Sequence, residues 1–193
     1  MKFNLRPLGA ALIAGVVCAC AAVSETPAEP TFYRSLASSD AELDAKAAAS
    51  MISGYRRNNG LGQVVLDPAL MRAAQAQAQA MARSNKFEHS AGGEFKSRIS
   101  SSGFDAAIAV ENIGAGYHTL AEAFSGWRDS PPHRSNMLKT GVTHMGIAAA
   151  YAPGTKYKVF WTLILAGVDD GGNKGLMRAN TRRRVPVMGA PGR

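Results

Sequence analysis

The chain has 193 residues, 46% of them hydrophobic and 19% charged, with a formal net charge of +8. That is apolar enough for one domain with its own core, which excludes a wholly disordered protein. The charge looks like a nucleic-acid signature until it is located. Lys2 and Arg6 precede an apolar leader, and Lys174, Arg178, Arg182, Arg183, Arg184 and Arg193 follow Gly171 with no acid among them; the body between is electrically balanced, so no nucleic-acid partner is expected.

In chain order, the apolar run over residues 8–17 behind Lys2 and Arg6 reads as a secretory signal, residues 1–22, and is too short to cross a bilayer. Two ends fit it. Val17-Cys18-Ala19-Cys20 resembles a lipobox that would place a lipid on Cys20, while Ala19, Ala21 and Ala22 suit ordinary cleavage. The protein is therefore expected to be exported, as a periplasmic protein, a lipoprotein anchored at the outer membrane, or a secreted one. Cys18 and Cys20 are the only cysteines, so the mature domain is expected to hold no internal disulfide. Residues 23–38 read as a linker, with Glu25, Pro27, Glu29 and Pro30 and little apolar content.

The domain is expected over residues 39–168. Ser39 is a candidate N-cap for a first helix carrying Leu43, Ala47, Met51, Ile52 and Tyr55, with Gly60 past its end. Asp67-Pro68 opens a second helix with an acid as cap and proline at the first position, where its missing N–H costs nothing. Leu70, Ala74, Ala78 and Met81 form its buried stripe; the Ala/Gln alternation of residues 73–80 imitates a strand, but both residue types favour helix. After His89 come a Gly/Ser-rich loop, a helical turn over 96–100, and an extended apolar segment over 106–113.

Thr119 and Glu122 form a capping box for a helix with Leu120, Ala123, Phe124 and Trp127 on one face, stopped by Pro131-Pro132, which starts a further turn. The last third reads as a hairpin. Met145, Ile147, Ala149 and Tyr151 alternate, residues 152–155 turn, and residues 157–166 return with Val159, Trp161, Leu163 and Leu165 on one face and Phe160, Thr162 and Ile164 on the other. A strand apolar on both faces must be covered on both, and only helices remain to do so. The predicted fold is α+β, a three-layer α-β-α sandwich with a central, mainly antiparallel sheet.

His89 at the start of a loop, Glu111 within an apolar stretch, and His133 after the proline pair lie where elements end and polar groups can converge. The intervals match no local metal motif. The ordered set His89-Ser90, Glu111-Asn112-Ile113, Trp127-Arg128-Asp129-Ser130-Pro131-Pro132-His133-Arg134-Ser135-Asn136-Met137-Leu138, Gly146-Ile147-Ala148 and Phe160-Trp161-Thr162 resembles the bacterial branch of the CAP superfamily. This is the SCP domain of cysteine-rich secretory proteins, antigen 5 and pathogenesis-related proteins, and the likeness spans residues 41–167.

The resemblance implies an α-β-α sandwich with a cleft in which His89, Glu111 and His133 meet. Eukaryotic members commonly carry a second glutamate three residues after the tryptophan; this chain has Ser130 there, beside Asp129. Two imidazoles and a carboxylate can hold a divalent metal such as zinc with an open position, which makes His89, His133 and Glu111 the candidate metal ligands. They can equally form a hydrogen-bonded cluster in which Glu111 sets the histidine tautomers. No catalytic residue is assigned beyond these cleft candidates. Trp127 is expected in the core, Asn112 and Asn136 on loop backbone, Arg134 on a carbonyl or acid near the cleft, and His118 and His144 at the surface or in packing.

The expected function is that of an exported cell-envelope protein binding a lipid, glycan or protein through the His/Glu cleft. The alternative is a metal-dependent, peptidase-like hydrolase at the same residues. Membrane association is expected only through a lipid on Cys20 or through the basic tail, residues 169–193.

Overall fold

The computed structural model describes residues 29–168; the leader with Cys20 and the basic tail lie outside the described residues. A 3-10 turn, Thr31–Tyr33, precedes α1, Ala45–Asn58. The first helix starts later than expected, because Asp44 rather than Ser39 caps it. The Asp44 carboxylate accepts from the Ala47 N–H at 2.9 Å and from the Thr31 hydroxyl at 2.8 Å, which ties the entry of the chain to the helix start.

The short strand β1, Val65–Leu66, leads through the Asp67 cap into α2, Pro68–Ser84. Leu70, Ala74, Ala78 and Met81 are fully buried, as their spacing predicts, and Asn85 closes the helix in the left-handed region at φ 51°. The helical turn α3 covers Phe95–Ser100, and β2 covers Ile108–Ala115, two residues further on than expected. The capping box at Thr119 and Glu122 is present at the start of α4, Leu120–Asp129. The proline pair starts α5, Pro131–Met137. The hairpin consists of β3, His144–Ala152, and β4, Lys158–Gly167.

The sheet order is β1-β3-β4-β2, with β4 antiparallel to both neighbours and β1 parallel to β3 over two residue pairs. It is thus mixed, though mainly antiparallel. Val159, Trp161, Leu163 and Leu165 of β4 join Ala48 and Ile52 of α1, Leu120, Ala123 and Trp127 of α4, and Met137 of α5 in one core layer. Ile164 and Ala166 face Leu70, Ala74 and Ala78 of α2 and Ile99 of α3 on the other side. Both faces of β4 are buried, so the sheet lies between two helical layers.

One buried cation braces this frame. Arg56 of α1 is 2% exposed and donates to the carbonyls of Gly62, Met137, Lys139 and Val142 at 2.8 to 3.3 Å, which fastens the helix to the loop before β1, to the end of α5 and to the segment leading into β3. No helix among the described residues is long and apolar enough to cross a membrane.

Candidate functional site

The free edge of β2 carries the site. Glu111 is the fourth residue of this strand, and its side chain is 2% exposed. A carboxylate in that position needs partners in ion-pair geometry. His89 supplies one, with Nδ1 2.8 Å from Oε1. Arg98 of α3 supplies the other, its Nη2 donating to Oε1 at 2.9 Å and Oε2 at 2.8 Å, and also to the His89 carbonyl at 3.2 Å. Because a carboxylate oxygen only accepts, Nδ1 is the donor in this contact, and Nε2 is the ring nitrogen left free of Glu111. The His89 side chain is 57% exposed.

Gln77 orients His89 from beneath. It sits buried on α2, with its amide donating to the carbonyls of Glu88 and His89 at 3.0 and 3.1 Å and accepting from the Gly92 N–H at 2.9 Å. Position 77 lies three residues after Ala74 and four before Met81, so it falls on the buried stripe; that spacing is the signal by which the sequence distinguishes it from exposed Gln75 and Gln79.

On the other face of β2, Asn112 and Asn136 connect the strand to α5. Asn112 donates to the His133 carbonyl at 2.9 Å, and Asn136 donates to the Glu111 carbonyl at 3.0 Å and to the Asn112 side-chain oxygen at 2.9 Å. The indole of Trp127, buried as expected, donates to the Ile113 carbonyl at 3.0 Å. Glu111 and Ile113 are two residues apart and share one strand edge, so side-chain donors occupy the carbonyls that a further strand would take.

His133 is thereby held near His89. Its Nδ1 is buried with no hydrogen-bond partner, and burial, followed by the proximity of His89, lowers its pKa from the ordinary 6.5. It stays neutral at pH 7.

The structure thus brings His89 and Glu111 into direct contact and sets His133 beside them. Arg98 is the site residue that the sequence does not reveal: it lies 13 residues before its partner, in no local pattern with it. The pinning role expected of Arg134 belongs to Arg98, since Arg134 is exposed. Asp129 brings no second acid to the cleft; it is exposed and pairs with the adjacent Arg128 at 2.8 Å. His118 is exposed, and His144 packs edge-on against Phe104 at 5.2 Å.

Among the described residues no three His, Cys, Asp or Glu side chains are arranged to hold a metal ion. The reason is local: both Glu111 oxygens face the Arg98 guanidinium, which occupies the positive position a cation would take. The trio of His89, His133 and Glu111 therefore does not fit a three-ligand metal centre in this arrangement.

Comparison with known proteins bears on the same residues. The model of the cysteine-rich secretory protein family, CAP, matches residues 49–165. The chain is 31% identical to the Bacillus subtilis protein YkwD over 123 residues, 62% of this chain and 48% of that one. It spans about half the length of that curated relative. Among solved structures, an outer surface protein of Borrelia burgdorferi aligns with a TM-score of 0.59 at 19% identity, over 65% of this chain and 93% of that chain. An extracellular protein containing an SCP domain from Bacillus anthracis aligns with a TM-score of 0.55 at 23% identity, over 63% of this chain and 39% of the other.

Proposed function

The chain belongs to the cysteine-rich secretory protein (CAP) family, and from that premise we propose that it is an exported envelope protein that binds a hydroxyl-bearing ligand, in the first instance a glycan, at the paired histidines. The single observation carrying this reading is the division of labour at the site. Glu111 is buried and spent on Arg98 and His89, whereas the His89 ring is exposed and His133 beside it is half-buried and neutral. Such a pair accepts and donates single hydrogen bonds, which suits sugar hydroxyls.

The metal-dependent hydrolase is the weaker reading. It needs a carboxylate free to ligate a metal or to take a proton from water, and Glu111 has both oxygens on a guanidinium. Export is supported by the charged, apolar leader and by the fold shared with an extracellular protein and an outer surface protein.

The test is capture of the wild-type protein from envelope extract, with the retained material identified by mass spectrometry, beside His89→Ala and His133→Ala. Retained glycan that falls about tenfold in both variants supports the reading. Retention of lipid or protein alone redirects it to those partners. Release of soluble fragments by the wild type, dependent on an added divalent ion, sinks it in favour of hydrolysis.

A further inference from the structure

The opposite edge of the sheet, at β1, carries a second candidate binding site. A cavity of about 350 Å³ lies between α1 and this strand, within the ~300–1,000 Å³ usual for ligand sites. Lys46, Ser50, Ser53 and Arg57 line one wall, at intervals of three or four residues that place them on one helix face. Gln63 and the β1 residues through Leu66 line the other. No acid lines this cavity among the described residues, and neither Lys46 nor Arg57 is in an ion pair there. The adjoining cavity beyond Lys46 carries Glu42 and Asp44, so the basic stretch runs only from Lys46 to Arg57.

The backbone at this edge is half used. The N–H groups of Val65 and Asp67 point to β3, donating to the carbonyls of Thr143 and Met145 at 3.0 and 2.9 Å. Val64 points the other way: its N–H and its carbonyl both bond the Ser53 hydroxyl, at 3.1 and 3.0 Å, so a helix side chain stands where a neighbouring strand would be. By strand alternation Leu66 presents its N–H and C=O to the same outer side, where no corresponding side chain meets them among the described residues.

We propose that this groove binds an extended acidic peptide segment of a partner protein, which adds as a strand at Leu66 and seats its carboxylates on Lys46 and Arg57. The two cations are 11 residues apart on α1, about 16 Å at ~1.5 Å per residue. An extended chain covers that distance in about five residues at ~3.3 Å each. Residues an even number apart share one face of a strand, so the recognised pattern is two acidic residues six apart, the next even spacing, with main-chain bonds supplying affinity and the charges supplying choice. A polyanion without peptide groups would leave the Leu66 donor and acceptor unmatched. This site is separate from the histidine pair and does not rest on the function proposed there.

The experiment is fluorescence anisotropy of the full chain with a labelled heptapeptide, Glu-Val-Thr-Val-Thr-Val-Glu, blocked at its C-terminus. Saturable binding is expected, weaker by roughly tenfold when Lys46→Ala and Arg57→Ala are combined. Both side chains are exposed, so the fold should tolerate the change. Methylating the two central amide nitrogens of the peptide should abolish binding. Equal affinity for the peptide with lysines replacing both glutamates, an unchanged double variant, or indifference to methylation overturns the proposal. So does self-association in sedimentation that the double variant removes, since a second copy would then be the occupant.

Discussion

Arg98 closes over Glu111 from 13 residues upstream, meeting both carboxylate oxygens from a single nitrogen at 2.8 and 2.9 Å while the two side chains are only 9% and 2% exposed. This pairing decides what the site can do, because it makes Glu111 an anchor for His89.

Removing one member of such a pair leaves the other charge buried and alone, which costs about 3–5 kcal/mol. Arg98→Met should therefore lower the urea midpoint strongly. Glu111→Gln with Arg98→Met together should recover much of the loss, as a double-mutant cycle by chemical denaturation would show. Additive losses would mean that the two groups do not act as a unit.

His133 makes stability depend on pH in a defined direction. Its folded pKa is lowered by burial first and by His89 second, so below pH 6.5 the unfolded chain takes up a proton that the folded chain still refuses. The stability present above pH 6.5 is lost as the pH falls from there towards the folded pKa. His133→Gln should flatten this part of the profile of urea midpoint against pH. His89→Ala should move the His133 titration upward, read from its ring proton shifts by NMR.

Arg56 bonds four carbonyls from within the core, and burial pulls its pKa below the ordinary arginine value. Lysine cannot reach four acceptors from one ammonium. Arg56→Lys should cost about 2–3 kcal/mol and Arg56→Met more, both measured as the fall in unfolding free energy. A change within ~0.5 kcal/mol would show that the carbonyls find water instead.

Gly146 marks where α2 lies directly on β3: a Cβ there would run into the backbone of Leu70 and Met71. Helix backbone cannot move aside as a flexible side chain can, so Gly146→Ala should destabilise by about 3 kcal/mol or fail to fold. Gly154, with open space around it, is the control: Gly154→Ala should leave the melting temperature within a degree or two.

The sequence by itself determined the longer elements and their layers, though not the two-residue strand β1. Asp67-Pro68, the Thr119/Glu122 box and the proline pair are caps and stops whose chemistry acts within four residues. The two apolar faces of residues 159–165 required a buried central strand, because apolar surface must be covered wherever the chain runs. The Asp44 cap was less legible, since Asp44 and Ser39 are both good cap residues and only the bond from Thr31, 13 residues earlier, favours one. His89, Glu111 and His133 were identifiable as an ordered set, yet their chemistry was not. Whether Glu111 is free or engaged depends on Arg98, Asn136 and the edge of β2 arriving at one place, and that meeting is made by packing between distant segments, which no local spacing records.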